Sequence, residues 1–285
     1  MHEKIRQVEI EAKQRVLDLF AGMYHSAFKG QGIEVEDIRE YHPGDEVRAI
    51  AWSRTAKMGR PFVKNFREER DLTVMLVVDF SGSEQFGSHF ETNRERMAEV
   101  GALLAFSAIY NHDRVGLILF SSDIELYIPP KRGLRHGMRL LRELLEFQPK
   151  KKGTSLAGAL GFLQKVVRKR CIAFVLSDFQ APNFEKEFRL VSQKDDIVAI
   201  RIMDAEEKRL PPIGLVRMKD LETGEVDIVD LNDEIVQQFE EEQKRVQSAF
   251  NTLVGQSGAD IIDISTEGEY YSAIHAFFKA RRRLR

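Results

Sequence analysis

The chain has 285 residues, enough to bury a sizeable core and to hold one large domain with additions. Its 43 Lys and Arg nearly balance 45 Asp and Glu, so no global field gathers a polyanion such as nucleic acid, and electrostatic recognition has to be local. The single cysteine, Cys171, excludes an intrachain disulfide and a multi-cysteine zinc site, suits a reducing compartment, and begins an apolar run as a core residue would.

The N-terminal stretch sets Ile5, Val8, Ala12, Val16 and Leu19 at three- and four-residue spacing among charges, which predicts an amphipathic helix. No stretch is apolar enough for a signal peptide or a membrane span, so a cytosolic protein is expected. Residues 22–32 read as a loop. In "VEDIREYHPGDEVRAIAW" a turn falls at Pro43 and Gly44, and Asp45 is placed to cap a short helix carrying Ile50 and Trp52. "PFVKNF" alternates with period two and predicts a strand.

From Asp71 strands alternate with helices. "LTVMLVVD" is apolar at nearly every position, as in a strand covered on both faces. A helix follows over Glu91–His112, then the strands "RVGLILF" and "IELYIP" around a turn at Ser121 to Asp123. Helices over Gly137–Phe147 and Leu156–Val167 precede the strand "CIAFVLSD". A helix over Phe184–Ser192 leads into the strand "DIVAIRIMD". Residues 210–231 break this rhythm as an inserted β-hairpin. Asn232 caps a long polar helix to about Leu253, "ADIIDIS" is the last strand, and Tyr270–Arg283 the last helix, whose basic end "KARRRLR" complements the helix dipole. The expected fold is α/β: a doubly wound, mostly parallel sheet with helices on both faces. Residues 1–70 form an N-terminal extension packing on a main domain over 71–285.

Three strand or helix ends then stand out. Asp79 closes the most apolar strand and is followed by Ser81 and Ser83; Thr154, after Gly153, is the expected N-cap of a helix; Asp178, preceded by Ser177, closes another strand. In an open α/β sheet ligands bind at the carboxyl ends of the strands, where the topology switches. Two carboxylates and several hydroxyls are hard oxygen donors, suited to a magnesium-like ion that keeps some of its waters and can accept a carboxylate from a partner.

Asp79-Phe80-Ser81-Gly82-Ser83, with Thr154 and Asp178, resembles the metal-ion-dependent adhesion site of von Willebrand factor A domains. "DRVGLILFSSDIELYIPP" and "GTSLAGAL" are similar to that family's second strand, hairpin and threonine loop. The resemblance implies Ser81, Ser83 and Thr154 as hydroxyl ligands of Mg²⁺, with Mn²⁺ or Ca²⁺ as substitutes, and Asp79 and Asp178 acting mainly through bound waters. Glu84 departs from the family, which has an apolar residue there. "GIEVEDIREYHPGDEVRAIAWSRTAK" resembles the DUF58 signature at Arg39, Tyr41, Pro43, Gly44, Asp45, Arg48, Ile50, Trp52, Thr55 and Ala56. That second resemblance implies a bacterial protein-interaction module working with a MoxR-type AAA+ ATPase.

Arg39, Asp45, Arg48 and Trp52 read first as a capped helix with an Arg–Asp pair and a core tryptophan. They read second, together with Glu84, as a partner-binding surface. The seven histidines show no metal spacing, and His42, His112 and His136 fall in turn or loop contexts. Catalysis finds little support. There is no phosphate-binding G-x-x-x-x-G-K-[ST] loop, no G-x-S-x-G elbow and no dinucleotide fingerprint at Gly30 and Gly32. An aspartyl-phosphate chemistry at Asp79 would need a second carboxylate where Ser81 stands. The alternatives are a metal-dependent hydrolase using Asp79 and Asp178, or a scaffold whose site no longer binds an ion.

Overall fold

The computed structural model describes residues 24, 27, 28, 33–68, 72–81, 92–151, 153–204, 211–219 and 226–284. The amphipathic helix expected near the N-terminus, Ser83 and Glu84 lie outside the described residues. The chain divides into two compact units: Phe28–Leu72, and Thr73–Arg285 together with Tyr24 and Ala27.

The smaller unit pairs β1 (Ile33–Glu40) antiparallel with β2 (Phe62–Glu68), and α1 (Trp52–Met58) lies between them in sequence. A strand at β1 was not expected. Its apolar positions run Ile33, Val35, Ile38, and the register slips between Val35 and Asp37, so the spacing of two becomes three across a bulge and the strand period is lost. Two further expectations fail here. Asp45 does not cap α1, whose N-cap is Ala51 with no side-chain bond; Ile50 lies outside the helix, bridged to Val63. Asp45 closes the Pro43–Gly44 turn instead, accepting from the His42 backbone N–H at 2.8 Å and from both Arg39 Nη atoms at 2.7 and 2.8 Å. Trp52 is not a core residue but 66% exposed. Tyr24, Ala27 and Phe28 take helical backbone where the sequence reads as loop.

In the larger unit the order is β3 (Thr73–Asp79), α2 (Asn93–Tyr110), β4 (Arg114–Phe120), β5 (Ile124–Lys131), α3 (Leu134–Glu146) and α4 (Leu156–Val166). There follow β6 (Ile172–Ser177), α5 (Glu185–Lys194), β7 (Asp196–Met203), β8 (Gly214–Lys219), β9 (Val226–Leu231), α6 (Asp233–Ser257), β10 (Asp260–Ser265) and α7 (Tyr270–Leu284). Six strands make one sheet in the order β10-β7-β6-β3-β4-β5, parallel except for the edge strand β5; β8 and β9 pair separately as an antiparallel hairpin. The doubly wound α/β fold of von Willebrand A type is therefore present.

The core explains why β3, β4 and β6 are apolar throughout. On one face Met75, Val77, Ile118, Phe120, Ala173 and Val175 pack with Leu156, Leu160 and Leu163 of α4, Phe188 and Val191 of α5 and Phe250 and Leu253 of α6. The alternate residues Val74, Leu76 and Val78, equally buried, point to the opposite face, where α2 and α3 pack together. Helix α2 begins two residues later than expected, because Thr92 and Glu95 form a reciprocal capping box. His136 proves helical and half-buried, its ring Nε2 bonded to the Val115 carbonyl at 2.8 Å, because α3 starts three residues before the expected Gly137. Cys171 is buried as expected.

Candidate metal centre

The chain runs from β3 out to β4 and β5 on one side and returns to β6 on the other. The topological switch thus falls between β3 and β6, and Asp79 and Asp178 stand at the carboxyl ends of those two strands.

Both acids make the same local motif. Asp79 Oδ1 accepts from the Ser81 N–H and Asp178 Oδ1 from the Gln180 N–H, each at 2.9 Å, so each carboxylate closes the turn two residues ahead of it. Ser177 joins them: its hydroxyl donates to Asp79 Oδ2 at 2.9 Å and accepts from the Phe179 N–H at 3.1 Å. The tight turn puts Phe179 in left-handed backbone, φ 59°, a costly conformation for a bulky side chain. Its ring stacks on Phe250 with centroids 4.3 Å apart, and that packing holds the residue in place.

Thr154 reaches the same edge through β4. The Phe80 N–H donates to the Phe120 carbonyl at 2.7 Å, and the Ser155 N–H donates to the next carbonyl, Ser121, at 2.8 Å. Consecutive residues at the end of β4 thereby tie the Asp79 loop to the Thr154 loop. Gly153 turns into this loop with φ 82°, a region that favours glycine. Glu125 on β5 anchors the stretch before it: Oε1 accepts from the Ser121 hydroxyl at 2.8 Å and from the Lys150 and Lys151 N–H groups at 3.1 and 2.9 Å.

Electrostatics set the character of the edge. Asp79 is fully buried, and among the described residues no cation lies within ion-pairing range of it. Burial, with the Asp178 charge adding to it, pushes its carboxyl up to about 7, although the bonds from Ser81 and Ser177 pull the other way. A carboxylate in that position is stabilised by a cation. The donors gathered here are two carboxylates and hydroxyls, a set that suits a hard divalent ion. Both oxygens of Asp79 already accept a bond from the chain, which fits a role through bound water. Among the described residues no group of three or more His, Cys, Asp or Glu could hold a metal, at this edge or elsewhere, so the donor set here is two carboxylates with hydroxyls.

Of the expected ligands, the structure brings Asp79, Ser81, Thr154 and Asp178 to one edge, while Ser83 lies outside the described residues. Arg39, Asp45, Arg48 and Trp52 belong to the smaller unit. Sequence reasoning named Ser177 and Ser121 without giving either a role at this edge, and passed over Glu125. The signal for Ser177 was its place beside Asp178 at a strand end. Glu125 left none, since two of its three partners are backbone groups 25 and 26 residues ahead.

Comparison with known proteins agrees with this architecture. An uncharacterized Mycobacterium tuberculosis protein is 26% identical over 282 residues, covering 98% of this chain and 89% of its own length. An uncharacterized Bacillus subtilis protein is 26% identical over 107 residues, 38% of this chain and 25% of that one. Among solved structures, an aerotolerance-related membrane protein from Bacteroides fragilis shares the fold with a TM-score of 0.50 at 15% identity, covering 75% of this chain and all of that one. No helix among the described residues of the present chain is long and apolar enough to cross a membrane. The family profile described as "Protein of unknown function DUF58" matches residues 37–249, and on that match this chain belongs to the DUF58 family.

Proposed function

We propose that the chain is a cytosolic, metal-dependent protein-interaction module in which Mg²⁺, held by Asp79, Ser81, Ser83, Thr154 and Asp178, accepts a carboxylate from a partner protein. One observation carries this reading: a fully buried Asp79 at the topological switch point, with no ion pair among the described residues and with a second carboxylate and buried hydroxyls beside it. The ion supplies a hard Lewis-acid centre with an open coordination position. The chain's own residues hold it and orient its waters, and among the described residues no histidine is placed at this edge. The partner that the family resemblance implies is a MoxR-type AAA+ ATPase or its substrate.

The test is a thermal melt with Mg²⁺ or Mn²⁺ and with EDTA. An ion bound by the native state alone stabilises it by about 2.7 kcal/mol at a hundred times its dissociation constant. Asp79→Ala is expected to abolish the shift and Thr154→Ala to weaken it. An equal shift in wild type and Asp79→Ala would remove the site.

A further inference from the structure

The β8–β9 ribbon presents one face of unusual composition. Leu215 pairs with Asp230 and Arg217 with Ile228, so these residues share a face, and all four are exposed. Leu215 is 76% and Ile228 75% exposed, whereas Val216 and Val229 on the opposite face are half-buried and β9 packs against α6. Neither Arg217 nor Asp230 makes an ion pair among the described residues. Ile213 and Val226 extend the exposed apolar surface at either end.

These four side chains form a near-square, because strands lie about 4.8 Å apart and alternate residues along a strand about 6.8 Å apart. Leu215 and Ile228 occupy one diagonal, Arg217 and Asp230 the other. A twofold axis lying in this face can run along the strands, across them, or along either diagonal. Along the strands it sets Leu215 on a charge; across them it sets Leu215 on Arg217. Along the charged diagonal it sets Arg217 on Arg217 and Asp230 on Asp230. Only the apolar diagonal satisfies every group: Leu215 meets Leu215, Ile228 meets Ile228, and each Arg217 meets Asp230 of the second copy.

We propose that this ribbon face is a self-association surface whose occupant is a second copy of the same chain, packed about that diagonal with the strands crossing steeply. Self-complementary charge makes the contact isologous and closed, so it yields a dimer and not a filament. The face is smaller than the roughly 800 Å² per partner of a stable complex, so the dimer is weak, with a dissociation constant in the high-micromolar range.

Sedimentation velocity on the full chain tests it. The expected result is a mass that rises from monomer toward dimer between about 10 and 500 µM. By symmetry, Arg217→Asp or Asp230→Arg alone opposes like charges twice, and each is expected to weaken the dimer at least about tenfold. The double exchange is expected to restore it to within about threefold, and Leu215→Ser to abolish it. All four variants alter exposed positions, and unchanged melting temperatures verify their folding. A wild type monomeric throughout, a dimer indifferent to Leu215→Ser and the single exchanges, or a double exchange that does not restore association would overturn the proposal.

Discussion

The two ends of the central sheet handle buried acid in opposite ways. At the amino ends of β7 and β10, Asp196 and Asp260 share one cation: Arg281 of α7 reaches Asp196 Oδ1 with Nη2 at 2.6 Å and pairs with Asp260 through Nη1. At the carboxyl ends of β3 and β6, Asp79 stands beside Asp178 with no ion pair of its own among the described residues, and its carboxyl is driven up to about 7. One acid is neutralised from within the chain; the other, Asp79, is held by hydrogen bonds from Ser81 and Ser177 and by no cation among the described residues. Charges buried for structure alone are expected to be paired, so a fully buried Asp79 with no ion pair among the described residues is the feature that sets the carboxyl edge apart.

The contrast is broken most directly at Arg281. Replacing it with Met leaves Asp196, nearly buried, without its cation and is expected to cost about 3–5 kcal/mol in a urea denaturation curve. Asp79→Asn in EDTA at pH 8 is expected to be neutral or stabilising, since it removes a buried charge that makes no ion pair among the described residues. Were Asp79→Asn as destabilising as Arg281→Met, the two edges would be alike and the carboxyl edge merely structural.

A pH series sharpens the same point. The folded-state value for Asp79, about 7, lies above the ordinary carboxylate value of about 3.9, so between these limits the native state binds a proton that the unfolded chain has released. The stability this proton contributes is complete below about pH 4 and is lost as pH rises through 7, a change on the order of 4 kcal/mol. Without divalent ions the urea midpoint should fall over that range. With saturating Mg²⁺ the fall should be suppressed, and in Asp79→Asn the contribution should vanish. A wild-type midpoint indifferent to Mg²⁺ at pH 8 would count against an ion at this edge.

The sequence made this contrast partly legible. Strands such as "LTVMLVVD" and "CIAFVLSD" announced themselves because both faces are covered, and the acids ending them marked the carboxyl edge of the sheet. Thr154 was legible from its glycine hinge, although the N-cap expected of it falls to Ser155, whose hydroxyl accepts from the Gly158 N–H. The neutralised edge was not, since the C-terminal Arg run reads as a solvated helix end, whereas Arg281 in fact turns inward between two strands. β1 escaped because its bulge breaks the period. Trp52 misled for another reason: an aromatic among "AIAWSRTA" looks like core, and only the shortness of α1, which buries none of its residues, leaves it outside.

Glu125 offers the smallest expected effect and the finest discrimination. Burial works to raise its carboxyl, but the bonds from Ser121, Lys151 and Lys150 outweigh that and hold it below the usual range. Its charge thus stabilises the backbone of the loop leading to Thr154 without reaching the carboxyl edge itself. Glu125→Ala is expected to cost about 1–2 kcal/mol in the urea curve, the scale of a few part-exposed hydrogen bonds. It is also expected to weaken the Mg²⁺-dependent stabilisation about tenfold in affinity, as loss of a residue that positions a ligand does. Glu125→Gln keeps an acceptor oxygen in place and should recover most of both effects. If stability fell while Mg²⁺ affinity stayed fixed, the Thr154 loop would hold its shape without β5. The ion site would then depend on β3 and β6 alone.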